Sequence, residues 1–185
     1  MYCYKYPRPA LTTDVIAFAY NQKNNDLELL LIRRKNPPFQ GMLAFPGGFV
    51  EMDETAEACA TRELSEETGL HGIPIVQLHT FSDVNRDPRG RTISIVYLSI
   101  LKDNNIAVKG NDDASSANWY PLSQINHNLA FDHEQILNFA LKFLLAHISH
   151  KCYQNYFSPL YPLAPTISTI GHNNLVKILE KYVQF

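Results

Sequence analysis

Long apolar runs are missing from this chain. No segment approaches the roughly 18 uncharged apolar residues that a membrane-spanning helix requires. Cysteine is scarce as well: Cys3, Cys59 and Cys152 are too widely spaced for a CxxC metal or redox motif. An odd cysteine count, and a start (residues 1–10) with tyrosines and prolines where a leader needs an apolar stretch, imply reduced thiols and a cytoplasmic protein. Positive charge is not in excess either. Sixteen Lys and Arg face 18 Asp and Glu, a formal net charge of −2, which argues against general nucleic-acid binding. Arginine does not occur after Arg91, and residues 151–185 carry only Lys151, Lys177 and Lys181 as strong cations. Internal repeats and low-complexity tracts are absent.

What remains is a 185-residue chain, 45% hydrophobic, of a size that suits one domain with a short appendage. Residues 12–20 (TTDVIAFAY) and 27–33 (LELLLIR) are rich in β-branched, aromatic and aliphatic side chains and predict two strands of a hairpin. Pro37-Pro38 and then Pro46-Gly47-Gly48 break the pattern. Residues 55–68, dense in Ala and Glu and ending at Gly69, predict a helix. Strands follow at 73–81, 91–101 and 117–120, separated by polar loops. Asp132 opens a second helix reaching about residue 147, with Gln135 at capping-box spacing and Ile136, Phe139, Ala140, Phe143 and Leu144 as its apolar stripe. Beyond Lys151 the composition changes to a Tyr-rich stretch punctuated by Pro159, Pro162 and Pro165. A short amphipathic helix over 173–183 follows, with Leu175, Ile178, Leu179 and Tyr182 along one side. The expected organisation is a main domain over 1–150 and an appendage over 151–185, docked on that domain or at a dimer contact. The element order predicts an α+β fold of layered helices and sheet.

The chemistry is concentrated in the first helix. Glu63, Glu66 and Glu67 are three and four residues apart and share a face with Ala56, Cys59 and Ala60. Alone, such a cluster reads as a solvated acidic face with an Arg62–Glu66 pair. Carboxylates gathered over small residues repel one another and resist desolvation, and a hard divalent cation relieves that cost.

The residues around the cluster decide between these readings. Gly48, Glu54, Arg62, Glu63, Glu66, Glu67 and Gly69 form the pattern G-x5-E-x7-R-E-x-x-E-E-x-G, with Leu64 and Leu70 at its two aliphatic places. With each residue type near 5–7% of an average protein, a chance match somewhere in the chain is on the order of one in a million. The pattern resembles the signature of the Nudix hydrolases, and the likeness extends over about residues 7–146. It implies a Nudix α/β/α sandwich with a mixed sheet and metal-dependent hydrolysis of a nucleoside diphosphate linked to another group. By that resemblance Glu63 and Glu67 are metal ligands, Glu66 is a third ligand or a base acting through water, and Arg62 orients the glutamates. Gly47 would offer a backbone carbonyl to the metal, Gly48 would allow a sharp strand-to-loop turn, and Glu51 is a further candidate ligand. Mg²⁺ is the expected ion and Mn²⁺ the alternative. Asp112 or Asp113 is a candidate for a separate base.

Substrate preference rests on the loop Arg86-Asp87-Pro88-Arg89-Gly90, in which guanidinium groups around a Pro-Gly turn suit phosphate or ribose. Together with PRPALTTDV, PPFQGMLAFPGGFVE and DDASSANWYPL, this loop is similar to ADP-ribose pyrophosphatases and to Nudix-derived transcription regulators. The implied reaction converts ADP-ribose to AMP and ribose 5-phosphate, with Arg86, Asp87 and Arg89 as substrate-binding candidates. Arg33 or Arg34 is a further one, only one of them because alternate strand residues face oppositely. Leu43 stands where many relatives carry Trp. Trp119 reads as core, and His79 and His133 are assigned no role. The rival reading, an ADP-ribose-sensing regulator suggested by Leu129-Ala130-Phe131-Asp132-His133, conflicts with the complete carboxylate set and the cation-poor tail. A nucleoside triphosphate pyrophosphatase is a third reading. The expected partner is a small nucleotide, with a homodimer as the candidate assembly.

Overall fold

The computed structural model describes residues 5–110, 114–125, 128–156 and 158–183. Its centre is the hairpin of β1 (Ala10–Asn21) and β2 (Asp26–Arg34), antiparallel and closed at Asn21↔Asp26. Two short strands follow, β3 (Leu43–Ala44) on β2 and β4 (Gly47–Phe49) on β1. The predicted break at Pro46-Gly47-Gly48 is therefore only partial, because both glycines are extended and pair with Asp14 and Thr13. After α1 (Ala56–Thr68), β5 (Val76–Phe81) and β6 (Thr92–Leu101) extend the sheet. β7 (Ala114–Pro121) then pairs with β2.

β6 runs parallel to β1 from Ala10↔Thr92 to Ala19↔Leu101, whereas the other pairings are antiparallel. The result is a seven-stranded mixed sheet. Both faces of β1 are buried, and its side chains alternate between two cores. Val15, Ala17 and Ala19 join Leu30, Tyr97 and the α1 residues Ala60 and Leu64 on one face. Ile16 and Phe18 join Leu29, Leu31, Leu98 and Ile100 on the other, against α2 (His133–Ser149). This is the expected α/β/α sandwich.

The buried stripe of α2 differs from the prediction. Leu137, Leu141, Leu145 and Ile148 are buried beside Ile136, Ala140 and Leu144, while Phe139 is 37% exposed. The helix beds a broad face because a second layer covers it, and Phe139 at the margin stacks on His79. Asp132 makes no capping hydrogen bond, so the capping box does not form.

The second layer comes from the C-terminal residues. α3 (Ala164–Ile170) and α4 (His172–Glu180) contribute Ile167, Leu175, Ile178 and Leu179 to the same buried cluster as α2, joined by Leu163 just ahead of α3. The Tyr182 hydroxyl donates to Asp26, and Asn174 Nδ2 donates to the Tyr20 hydroxyl at 3.2 Å, tying this segment to the β1–β2 hairpin. No helix among the described residues is long and apolar enough to cross a membrane.

Because α2 and α4 share one core, Leu144→Ala and Leu179→Ala should each lower the unfolding free energy by about 2–5 kcal/mol. Urea titration should show a single transition for both. A separate early transition in Leu179→Ala would mean that the C-terminal helices melt on their own.

Candidate active site

Helix α1 is anchored at both ends. Thr55 Oγ1 accepts the Ala58 N–H at 3.1 Å, and Gly69 closes the helix in the left-handed conformation at φ 72°. Arg62, near its middle, binds three carboxylates. Its Nη2 lies 2.7 Å from Glu54, and its Nη1 lies 2.8 Å from Glu63 and 3.0 Å from Glu66. Hydrogen bonds from Arg62, with one from the Glu51 N–H, hold the Glu54 carboxyl down to about 2. Hydrogen bonds to Glu54 first, then to Glu63 and Glu66, keep the Arg62 guanidinium well above its ordinary value. Among Glu63, Glu66 and Glu67, Glu66 is the outermost, with 44% of its side chain exposed.

Glu63 and Glu67 point the other way, under β4. A Cβ on Gly48 would overlap the Glu63 carboxylate, and one on Gly47 would overlap the Thr13 carbonyl. Gly48 is thus required by close approach, not by a sharp turn, and its φ is not positive. Glu67 is buried, and its Oε2 accepts the Gly47 N–H at 2.9 Å. Burial first, then the charges of Glu63 and Asp14, push it up to about 8 against the Gly47 hydrogen bond. Burial also raises Glu63, although Arg62 opposes the shift.

Among the described residues no three Asp, Glu, His or Cys side chains converge as a ligand cluster, since Arg62 engages Glu63 and Glu66 while Glu67 faces Gly47. The donor chemistry still suits a hard divalent cation. Two carboxylates, disfavoured as anions by their burial, sit on one helix face beside backbone oxygen, and all the donors are oxygen. Glu51 lines the same pocket; Asp112 and Asp113 lie outside the described residues.

The pocket, about 340 Å³, opens between this acidic wall and a wall of arginines and aromatic rings. Arg34 lines it, whereas Arg33 is exposed and donates to the Gly41 carbonyl. Arg86 is buried, and its guanidinium grips Asp132 in two bonds of 2.9 and 2.7 Å. Asp87 is buried too. Burial works against its ionisation, but bonds from Arg89 prevail and keep its carboxyl below the ordinary range. Arg89, more exposed, lies 4.9 Å from the Phe49 ring and 5.2 Å from the Phe131 ring, and Arg34 lies 4.8 Å from Phe131.

Several pocket residues were not singled out by the sequence reading. Asp14 on β1 is the clearest, a charge inside an otherwise uncharged strand. Burial opposes its ionisation, but His133, Ser94 and Arg86 outweigh that and hold it below its usual value. His133 is buried and accepts the Phe45 N–H at Nδ1, 3.0 Å away, while its Nε2 faces Asp14 at 3.4 Å. Trp119 stays out of the pocket; it packs against the α1-side core and donates to the Ile106 carbonyl.

Comparison with known proteins agrees with this architecture. The NUDIX domain family matches residues 10–139, and the chain belongs to the Nudix family. It is 46% identical to an ADP-ribose pyrophosphatase from Methanocaldococcus jannaschii over 134 residues, 71% of this chain and 73% of the relative. It is 35% identical to NtrR, an ADPR-responsive transcriptional repressor from Acinetobacter baylyi, over 135 residues, 71% of this chain and 53% of that protein. A crystal structure of a MutT/nudix family protein from Enterococcus faecalis superposes with a TM-score of 0.74 at 28% identity, covering 100% of this chain and 85% of the other. The chain is a Nudix hydrolase with the family's mixed sheet and helices.

The raised Glu67 carboxyl sets a pH dependence. Its folded value, about 8, lies above the ordinary 4.5, so its proton stabilises the metal-free fold below 4.5, and that contribution fades as pH rises through about 8. A divalent cation bound at Glu67 would have to displace this proton. Its affinity should therefore climb with pH up to about 8 and then level, with up to about one proton released per ion at pH 7. Calorimetry in two buffers of different ionisation enthalpy measures that proton, and zero release would contradict a cation at Glu67.

Proposed function

We propose that this protein hydrolyses ADP-ribose to AMP and ribose 5-phosphate with Mg²⁺, or Mn²⁺ in its place. The carrying observation is the two-walled pocket, with glutamates of α1 on one side and Arg34, Arg89, Phe49 and Phe131 on the other. The diphosphate of the substrate bridges the two walls, and the similarity to an ADP-ribose pyrophosphatase supports the choice of substrate.

Glu63 and Glu67, with the Gly47 carbonyl, are the residues to hold the cation, and Glu66 is the candidate third ligand or base. When bound, the cation neutralises diphosphate oxygens and makes phosphorus more open to water. Arg62 fixes Glu63 and Glu66 through Nη1. Glu66 Oε2 accepts from Arg62, so Oε1 is the atom to take a proton from the attacking water. Arg34 and Arg89 hold the negative phosphates and stack with the rings, while Asp87 keeps Arg89 aimed. Arg86 serves the site from beneath, bound to Asp132. Arg33, directed at Gly41, has no part in this reading. The site-bearing unit is residues 1–150, with 151–185 as a packed appendage, in a cytoplasmic protein that works as a homodimer.

The similarity to NtrR favours a second reading, an ADP-ribose-responsive regulator. Against it stand the retained carboxylates and a tail whose strong cations are Lys151, Lys177 and Lys181, one of them 4.0 Å from Asp26. Tight, ADP-ribose-sensitive DNA binding at about 0.1 M salt would favour the regulator.

Glu67→Gln and Glu63→Gln should each lower turnover of ADP-ribose at least ~10²-fold without loss of fold. Near-normal turnover in both would sink the metal assignment. Arg89→Ala should raise KM about tenfold or more with metal affinity unchanged, whereas Arg33→Ala should leave KM alone. Equal effects of the two substitutions would remove Arg89 from the substrate site.

A further inference from the structure

Helix α2 begins at the floor of the pocket, and its first residues are used in an unusual way. Asp132 occupies the N-cap position, yet its carboxylate caps nothing; both oxygens are taken by the buried guanidinium of Arg86. A residue type suited to capping has been diverted from its own helix to a loop 46 positions away. The preceding residue, Phe131, is held at φ 56°, a left-handed conformation costly for a bulky side chain. Its neighbour His133 is buried and fully used. The Phe45 N–H donates to Nδ1, so the ring proton resides on Nε2, which faces Asp14. The ring also stacks on Phe45 with centroids 4.6 Å apart and planes 14° from parallel.

These two adjacent residues reach opposite halves of the site. Asp132 holds the arginine loop. His133 holds Phe45 and Asp14, and these hold β4: the Val15 N–H donates to the Pro46 carbonyl, and Asp14 pairs with Gly47, whose N–H meets Glu67. Arg86 Nη2 stands 3.9 Å from Asp14, closing the circuit.

We infer that Asp132 and His133 are a pair of positioning residues that set the arginine loop and the glutamate helix at a fixed separation across the bound diphosphate. The inference rests on the hydrolase reading above and assigns these residues no contact with reacting atoms. His133 acts on the glutamate side and therefore on turnover, since displacement of catalytic groups by about 1 Å can cost ~10²-fold. Asp132 acts through Arg86 and therefore on substrate binding.

Substitutions at His133 separate its two bonds. Asn places an amide oxygen where Nδ1 accepts from Phe45, Gln reaches Asp14 in place of Nε2, and Phe keeps the stacking ring but neither bond. His133→Phe should lower kcat for ADP-ribose at least ~10-fold with KM changed little, His133→Asn should recover most of that loss, and His133→Gln should not. Asp132→Asn should raise KM about tenfold and leave kcat near that of the wild type. Hydrogen exchange on the full chain gives a readout independent of activity. Amides over 45–48 should exchange at least ~10-fold faster in His133→Phe, and those over 86–91 in Asp132→Asn. If the wild type does not cleave ADP-ribose, the substrate reading fails and the exchange pattern still decides this inference. Unchanged exchange in both variants, or a His133→Asn enzyme no better than His133→Phe, would overturn it.

Discussion

Mutual repulsion among carboxylates is the constraint around which this molecule is arranged. Glu54, Glu63, Glu66, Glu67 and Asp14 gather at one end of the sheet, and without compensation they would drive α1 away from β4. Arg62 answers most of that charge from within the helix, bridging Glu54 ahead of α1 to Glu63 and Glu66 on it. Glu67 instead meets the Gly47 N–H, and burial beside Glu63 and Asp14 pushes its carboxyl up to about 8. The glycines of β4 follow from the same need, because only a backbone without Cβ lets the Glu63 carboxylate lie against it.

The sheet turns this local tension into a cleft. The parallel pairing of β1 with β6 brings Ser94 to Asp14, and the antiparallel pairing of β1 with β4 brings Gly47 beside Asp14. The arginine loop joins β5 to β6 and so emerges on the same rim. Helix α2 closes the floor, with Asp132 and His133 each bonded to a different part of it. Every wall of the pocket hangs on β1, directly or through one intermediary.

Much of this was legible beforehand, and the division follows the range of the interactions. The hairpin, α1 with its Gly69 cap, and β6 depend on local periodicity and local capping, which residues 12–33, 55–69 and 91–101 display openly, whereas Thr55, read as the first helical residue, is the N-cap. The glutamate motif was legible because its members share one helix at fixed spacing. Long-range pairing was not. Nothing in the spacing of Asp14, Asp132 and His133 reveals that they meet, and Asp132 even carried a local signal, the capping box, that the distant Arg86 overrides. Arg33 and Arg34 were separable in principle, since one of two neighbours on a strand must face away, but which one did so depended on strand pairing and on Gly41. The broad buried face of α2 went unread for a similar reason: α3 lies where Pro159, Pro162 and Pro165 pointed to an irregular segment, and the predicted C-terminal helix gave no sign that it packs on α2.

The parallel partnership of β1 and β6 has a consequence for how the molecule comes into being. A ribosome must deliver more than 90 residues before Ala10 meets Thr92, and α2 some 40 residues later still. The glutamate helix, made of local contacts, is able to form early, but its carboxylates then face water with no opposing wall. Contacts of such long sequence separation are slow to close, so the cleft should be among the last features assembled during synthesis. A nascent or truncated chain lacking α2 would carry the whole signature motif without the residues, Asp132 and His133, that brace the pocket from its floor.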